Sequence, residues 1–146
     1  MITPNQVKLV DFGFGAQFIS RDKGGFLKTL IGTQSYVLPE PYLGQPYYGA
    51  DHDLFSLGVL LFICHLRSYP FERATLDDKF YKLLVNNDPK FWQLKSNGMQ
   101  ISSKFKDLVS NMLQFRPAAR LNIAEIICHD WFNRETVTDE EYRQKV

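Results

Sequence analysis

The chain has little charge of either sign to spare: 17 Lys and Arg stand against 16 Asp and Glu, a net charge of +1. No strong global field therefore draws it to nucleic acid or to an anionic membrane, and partners must be argued from local sites. Cysteine is almost absent. Cys64 and Cys128 both fall in apolar, helix-like patterns, so buried reduced thiols are expected rather than a disulfide or a metal pair. There is no apolar run of the ~20 residues that a membrane span needs. The opening residues, MITPNQVKLV, have neither the charged start nor the long apolar region of a signal peptide. The expectation is an intracellular, cytoplasmic and reducing location, with no membrane and no nucleic-acid partner. Internal repeats and low-complexity tracts are missing too, which leaves one domain, or a piece of a larger one, for 146 residues.

What the chain does have is apolar material, 45% of its residues with twelve Phe, enough for a real core. It is concentrated in Asp53 to Leu66, DLFSLGVLLFICHL, where between Leu54 and Cys64 only Ser56 and Gly58 interrupt the apolar residues. No polar face can be drawn on a helical wheel, so this stretch is expected to be a central helix buried on all sides. Asp53, taken with this stretch alone, is an N-terminal cap near unpaired backbone N–H groups. Helices to surround it follow in order. Thr75 with Asp78 resembles a capping box ahead of Leu76, Phe80, Leu83 and Leu84, and Asn86 to Pro89 ends that helix. Ser102 opens another, in which Phe105, Leu108, Val109, Met112 and Leu113 keep helical spacing. Asn122 with Glu125 caps a third, carrying Ile123, Ile126 and Ile127. Phe91-Trp92 is expected as an aromatic plug beneath a loop, and His129 to Phe132 as aromatic packing at a helix exit. Residues 133–146 form a charged tail or linker, sparse in apolar residues.

The N-terminal part is less regular. Val7 and Leu9 alternate with Lys8, which suggests a short strand half facing a core. It ends at Asp11-Phe12-Gly13, by itself a turn of the Asp-x-Gly kind. From Gly15 to Thr33 no period is sustained, and residues 20–25 read as an exposed, mobile loop. A structureless segment this long is more often functional. Pro39 and Pro41 should break any regular element between Gly32 and Tyr42. Tyr42, Tyr47 and Tyr48 are expected to pack on the core helix rather than to stack on bases.

Singly these signals are weak, but their order is specific. DFG at Asp11 is followed by GTxxYxxPE from Gly32 to Glu40 and YGxxxDxxSLGV from Tyr48 to Val59. Then come PF at Pro70-Phe71, RxNxxE at Arg120 and HxWF ending at Phe132. The chain resembles the C-terminal lobe of a eukaryotic serine/threonine protein kinase, from just before DFG to the last helices, over residues 1–132. The segments around PFERATLDDKFYKLL and GQPYYGADHDLFSLGV are most similar to the calcium/calmodulin-dependent and SNF1-like branch. The fold implied is mainly α, a helical bundle around a buried central helix with a short β-hairpin remnant at the N-terminus.

The resemblance implies roles residue by residue. Asp11, within Asp11-Phe12-Gly13, would hold a magnesium ion bridging ATP phosphates, and Phe12 would pack beneath the helix that positions the ATP-binding lysine. Thr29 would be the activating phosphorylation site. Thr33 would belong to the substrate loop, close to the catalytic aspartate. Glu40 and Arg120 would form a buried ion pair, and Asp53 would accept hydrogen bonds from the catalytic loop, a reading that displaces the simple cap. Some positions depart from the family pattern: Leu38 where Ala precedes Pro-Glu, Phe55 where Trp is usual, Arg116 where an acid commonly precedes the proline. Ala16 replaces a basic residue that often helps to hold the loop phosphate, which weakens the case for control through Thr29. The glycine-rich loop, the VAIK-type lysine with its glutamate, and the HRDxxxxN catalytic loop are all missing, so no catalytic set is complete.

The implied function is therefore a fragment of an ATP-dependent kinase acting on Ser/Thr of protein substrates, inactive alone, whose Met1 is an internal residue of a longer protein. ATP, magnesium and a missing N-lobe or completing partner belong to the complete domain. The alternative is a catalytically dead, kinase-derived binding or scaffold module.

Overall fold

A computed structural model of the chain describes residues 2–3, 6–17 and 25–133. The loop expected over residues 20–25, except Gly25, and the charged tail beyond Asn133 lie outside the described residues. The architecture is built on helix α2, Gly49–Leu66, which starts four residues before the apolar stretch. Asp51 in its first turn meets the positive end of the helix dipole. Arg67 ends it in the left-handed region at φ 54°, donating its N–H to the Ile63 carbonyl, a role more often given to glycine. Asp53 is thus the fifth helical residue and exposed, not a cap.

Phe55, Gly58, Val59, Phe62 and Leu66 share one buried face of α2. The expectation of burial all round fails on the other side, where Leu57 and Leu60 are 45% and 46% exposed. Apolar composition tells which helix is fit to be covered, not whether this stretch of chain supplies the cover. Both cysteines are exposed for the same kind of reason: Cys64 lies on the open side of α2, and Cys128 at the end of the helix Ile123–Cys128. With 18 residues at mean hydropathy 1.3, α2 meets the length and composition of a membrane span. Its buried face, however, packs on other helices as a core helix does.

Those helices are α3 (Lys79–Val85), α4 (Pro89–Lys95), α5 (Ser103–Met112) and α6 (Ile123–Cys128). α5 follows the sequence reading closely: Ser102 accepts from the Phe105 N–H at 3.2 Å, and Phe105, Leu108, Val109 and Met112 are buried. It lies close against α2 because position 58 has no side chain. A Cβ there would sit 3.0 Å from Leu113 Cδ2 and 3.1 Å from Met112 Cβ. α6 has its full capping box, Glu125 N–H to Asn122 Oδ1 at 3.0 Å and Asn122 N–H to Glu125 Oε2 at 2.8 Å. Of its three isoleucines only Ile126 is buried, and Ile123 and Ile127 are exposed. Trp131 stacks edge-on with Phe105 at 5.6 Å, whereas Phe132 remains exposed.

α3 starts later than the Thr75 box implied. Asp78 is itself the cap: Oδ1 accepts from the N–H groups of Phe80 and Tyr81, both at 2.9 Å. Oδ2 accepts from Glu72 and Arg73 N–H at 2.9 and 3.2 Å. Leu76 is left exposed, and Tyr81 and Leu84 carry the core face. Asp78→Ala should cost about 2 kcal/mol in urea unfolding, at the upper end for a cap. Asp78→Asn, which keeps one carbonyl-type oxygen, should cost about half of that; no loss in Asp78→Asn would mean that the second pair of bonds contributes nothing. Phe91-Trp92 lies within α4 rather than under a loop, since Asp88 caps and Pro89 opens a helix there.

The small strands are β1 (Ile2–Thr3) with β2 (Gln6–Val7), a hairpin in register Ile2 with Val7, and β3 (Phe26–Leu27) with β4 (Tyr47–Tyr48). The second pair was invisible to periodicity because two residues make no pattern. It ties the irregular segment before Thr33 to the start of α2. The chain after β2 does not half face a core: Leu9 is 87% and Val10 56% exposed. The mainly α bundle with an N-terminal β-hairpin is the architecture that the sequence implied.

Candidate functional site

The segment from Thr29 to Tyr42 is held against α2 at several points. Tyr47, a buried residue of β4, donates its hydroxyl to the Thr29 carbonyl at 2.9 Å, and burial raises its pKa. Gly32 sits at φ 95°, which a residue with a side chain would adopt only under strain. Thr33 follows, extended and exposed, its carbonyl accepting from the Tyr36 N–H at 2.9 Å to start a 3-10 turn over Gln34–Tyr36. Ser56 of α2 donates to the Tyr36 carbonyl at 3.0 Å, and Tyr42 donates to the Gln34 carbonyl at 3.0 Å. Ser35 donates to the Glu72 carbonyl at 3.1 Å, at the edge of an open groove of about 550 Å³ bounded by Tyr69, Phe80 and Lys95. In that groove Lys95 donates to the Tyr69 carbonyl at 2.8 Å and lies 3.8 Å above the Phe80 ring. Its burial lowers the amine pKa.

The prolines do not break the segment; they begin a helix. α1, Pro39–Tyr42, has Pro39 and Pro41 within its first turn, where N–H groups have no intrahelical acceptor and proline loses nothing. That turn buries Glu40, at 4% exposure. Its carboxylate oxygens each meet one terminal nitrogen of Arg120 at 2.8 Å. Arg120 also donates from Nε to the Gln114 carbonyl at 2.7 Å and from Nη2 to the Phe115 carbonyl at 3.0 Å, and lies 5.4 Å over the Phe55 ring. A fork-on-fork pair with its remaining protons satisfied is the geometry in which a buried charge pair is tolerable.

The Asp11 region contrasts with this. Asp11 is in the left-handed region at φ 63°. Its Oδ1 accepts from Gly13 N–H at 3.3 Å, and Gly15 N–H closes a turn on the Phe12 carbonyl at 2.8 Å. The local geometry is the Asp-x-Gly turn. Phe12 is 76% exposed instead of packed beneath a helix, because no described residue covers it. Among the described residues no group of three or more His, Cys, Asp or Glu side chains could hold a metal by itself. A magnesium ion needs only one or two protein carboxylates when phosphate and water complete its shell, and the exposed, hard oxygens of Asp11 suit that limited part.

The structure thus joins Glu40 to Arg120 and fastens the stretches bearing Thr29 and Thr33 to β4 and α2. Asp11, Phe12, Gly13 and Asp53 stay at the surface. Sequence reasoning missed Ser56 and His52 as fasteners, and placed Asp78 in a box with Thr75 rather than as the cap of α3. Ser56 did leave a signal, as a hydroxyl inside an apolar helix.

An ordered series of kinase-like motifs, a bidentate Glu–Arg pair spanning the bundle and a long loop pinned to a central helix define one class of protein. The family model for the protein kinase domain matches residues 1–132. The chain belongs to the protein kinase domain family. It is 34% identical over 128 residues to the protein kinase domain-containing protein ppk9 of Schizosaccharomyces pombe, covering 86% of this chain and 22% of that protein. It is 35% identical over 127 residues to the SNF1-related protein kinase catalytic subunit alpha KIN12 of Arabidopsis thaliana, covering 87% and 24%. To the CBL-interacting protein kinase 20 of Oryza sativa it is 34% identical over 130 residues, covering 88% and 26%. The chain therefore spans only about a quarter of the length of these relatives, and serine/threonine kinases are prominent among its similar proteins.

Proposed function

We propose that residues 1–132 are the C-lobe part of a protein serine/threonine kinase. The complete domain transfers the γ-phosphate of ATP to Ser or Thr of protein substrates, and this stretch alone does not. The observation that carries this reading is the buried Glu40–Arg120 pair beneath the Gly32–Tyr42 segment, with both oxygens engaged at 2.8 Å. A hydrophobic pair could stabilise an apolar core as well, and we read this buried ion pair as kept for fixing geometry. Here it fixes the segment in which Thr33 would face the substrate hydroxyl, just after Thr29, which would receive an activating phosphate.

Asp11 would hold magnesium, which, when bound, neutralises charge on the transferring phosphoryl group. The chain's own part is to present that carboxylate on a tight turn, and to hold the substrate segment on α2. The open sides of the molecule support incompleteness: Leu57, Leu60 and Phe12 are apolar and exposed, and a complete domain would lay its N-lobe and catalytic loop, the latter accepted by Asp53, over such surfaces. Residues 133–146 serve as a tail or linker. The reading carries an intracellular setting, where ATP and reduced thiols coexist.

Calorimetric titration of the 146-residue chain with magnesium and ATP, beside Asp11→Ala, tests this. No saturable heat is expected from either protein, and phosphoryl transfer should appear only with the longer, completed domain. Saturable binding abolished by Asp11→Ala would overturn incompleteness and favour the short, non-catalytic binding module instead.

A further inference from the structure

His52 and Ser56 are one turn apart on α2, and both face the segment that follows Thr33. A hydroxyl has a single hydrogen to give. That of Ser56 goes to the Tyr36 carbonyl, 3.0 Å away. The same oxygen lies 3.4 Å from Nδ1 of His52. With its hydrogen committed, Ser56 can only accept there, so the contact is a bond only if Nδ1 carries the proton. The partner of one ring nitrogen fixes the tautomer of the whole ring.

We infer that His52 is a positioning residue for the substrate segment: as its Nδ1–H tautomer it donates to Ser56, which donates to Tyr36 and holds the turn after Thr33. The functional meaning of this relay rests on the reading of Gly32 to Tyr42 as a substrate loop; its geometry does not. The surroundings suit a neutral ring. Tyr47 covers it, with ring centroids 5.5 Å apart. Burial lowers the His52 pKa, with Arg120 acting in the same sense and Asp53 and Glu40 opposing. Above neutral pH the imidazole is uncharged, so which nitrogen holds the proton is a single, observable fact. The turn itself offers a second readout, since the Tyr36 N–H bonds to Thr33 and the Val37 N–H to Gln34 at 2.9 and 3.2 Å.

Long-range proton–nitrogen correlation spectra of the intact chain at pH 7.5 test the tautomer without any substitution. A protonated Nδ1 and an unprotonated Nε2 are expected for His52, and Ser56→Ala should release that preference. Amide exchange tests the positioning. His52→Asn places an amide nitrogen where Nδ1 was and should keep the protection of Tyr36 and Val37. His52→Gln, which reaches the Nε2 position, and His52→Val should speed their exchange about two- to tenfold, the range set by one hydrogen bond. Exchange within α5 should not move, which separates loss of the turn from loss of the fold. An Nε2–H tautomer in the native chain, or unchanged exchange of Tyr36 and Val37 in His52→Val, would overturn the proposal. Failure of phosphoryl transfer by the completed domain would instead remove the substrate-loop reading and leave the relay standing.

Discussion

Glu40→Ala should lower the unfolding free energy by about 3–5 kcal/mol, because it strands the Arg120 guanidinium in the interior. The side chains of the pair are only 5% and 6% exposed, so water cannot replace the lost carboxylate without opening α1. Arg120 would keep its bonds to the Gln114 and Phe115 carbonyls, which satisfy protons but not the charge. Glu40→Gln, which retains an acceptor, should lose somewhat less. Replacing both partners by apolar residues of similar volume should recover most of the loss, since an unpaired charge costs more than an absent pair. Urea unfolding of the three variants checks this. A loss below about 1 kcal/mol for Glu40→Ala would put the pair with surface ion pairs, and would remove the observation on which the functional reading depends.

Phe62→Ala should be comparably damaging, at about 3–5 kcal/mol for a buried aromatic truncated to a methyl group. Phe62 is fully buried on α2 and packs against Phe91 at 5.9 Å and Trp92 at 5.8 Å between ring centroids. Its ring joins α2 to α4, and α4 has seven residues, too few to hold helical form in isolation. The cavity should therefore loosen α4 as a unit. Trp92 fluorescence at low urea will show this as a shift preceding the main transition. If the site instead collapses, the loss shrinks towards the transfer term alone and the early shift disappears.

What could be read in the sequence follows the distance over which each signal acts. α5 was legible because Ser102, Phe105 and the apolar positions after it are all local. α6 was legible at its cap for the same reason, and less so in its faces, where Ile123 and Ile127 obey the period yet stay half exposed. The Thr75 and Asp78 spacing resembled a box, but the Asp78 carboxylate bonds forward to α3 and backward to Glu72 and Arg73. Pattern alone cannot choose between those directions. Pro39 and Pro41 misled through a rule that holds only inside helices. Glu40 and Arg120 are 80 residues apart, and neither residue announces the other. The pairing was legible only through the order of motifs, whereas the link of Tyr36, Ser56 and His52 left a single trace, the Ser56 hydroxyl inside an apolar helix.

The same separation of 80 residues bears on the order of events as the chain folds. Asp78 gathers groups within six residues of itself, and such short loops close quickly and at small entropic cost. The Glu40–Arg120 clasp must wait until α2 and α5 have docked, because closure of a long loop precedes any reward from its contacts. It should be scarcely formed at the folding barrier. Breaking it will then leave the folding rate nearly unchanged and raise the unfolding rate by almost the whole destabilisation. In kinetic terms the pair is a lock thrown after the door has shut: it governs how long the native state lasts, not how soon it is reached.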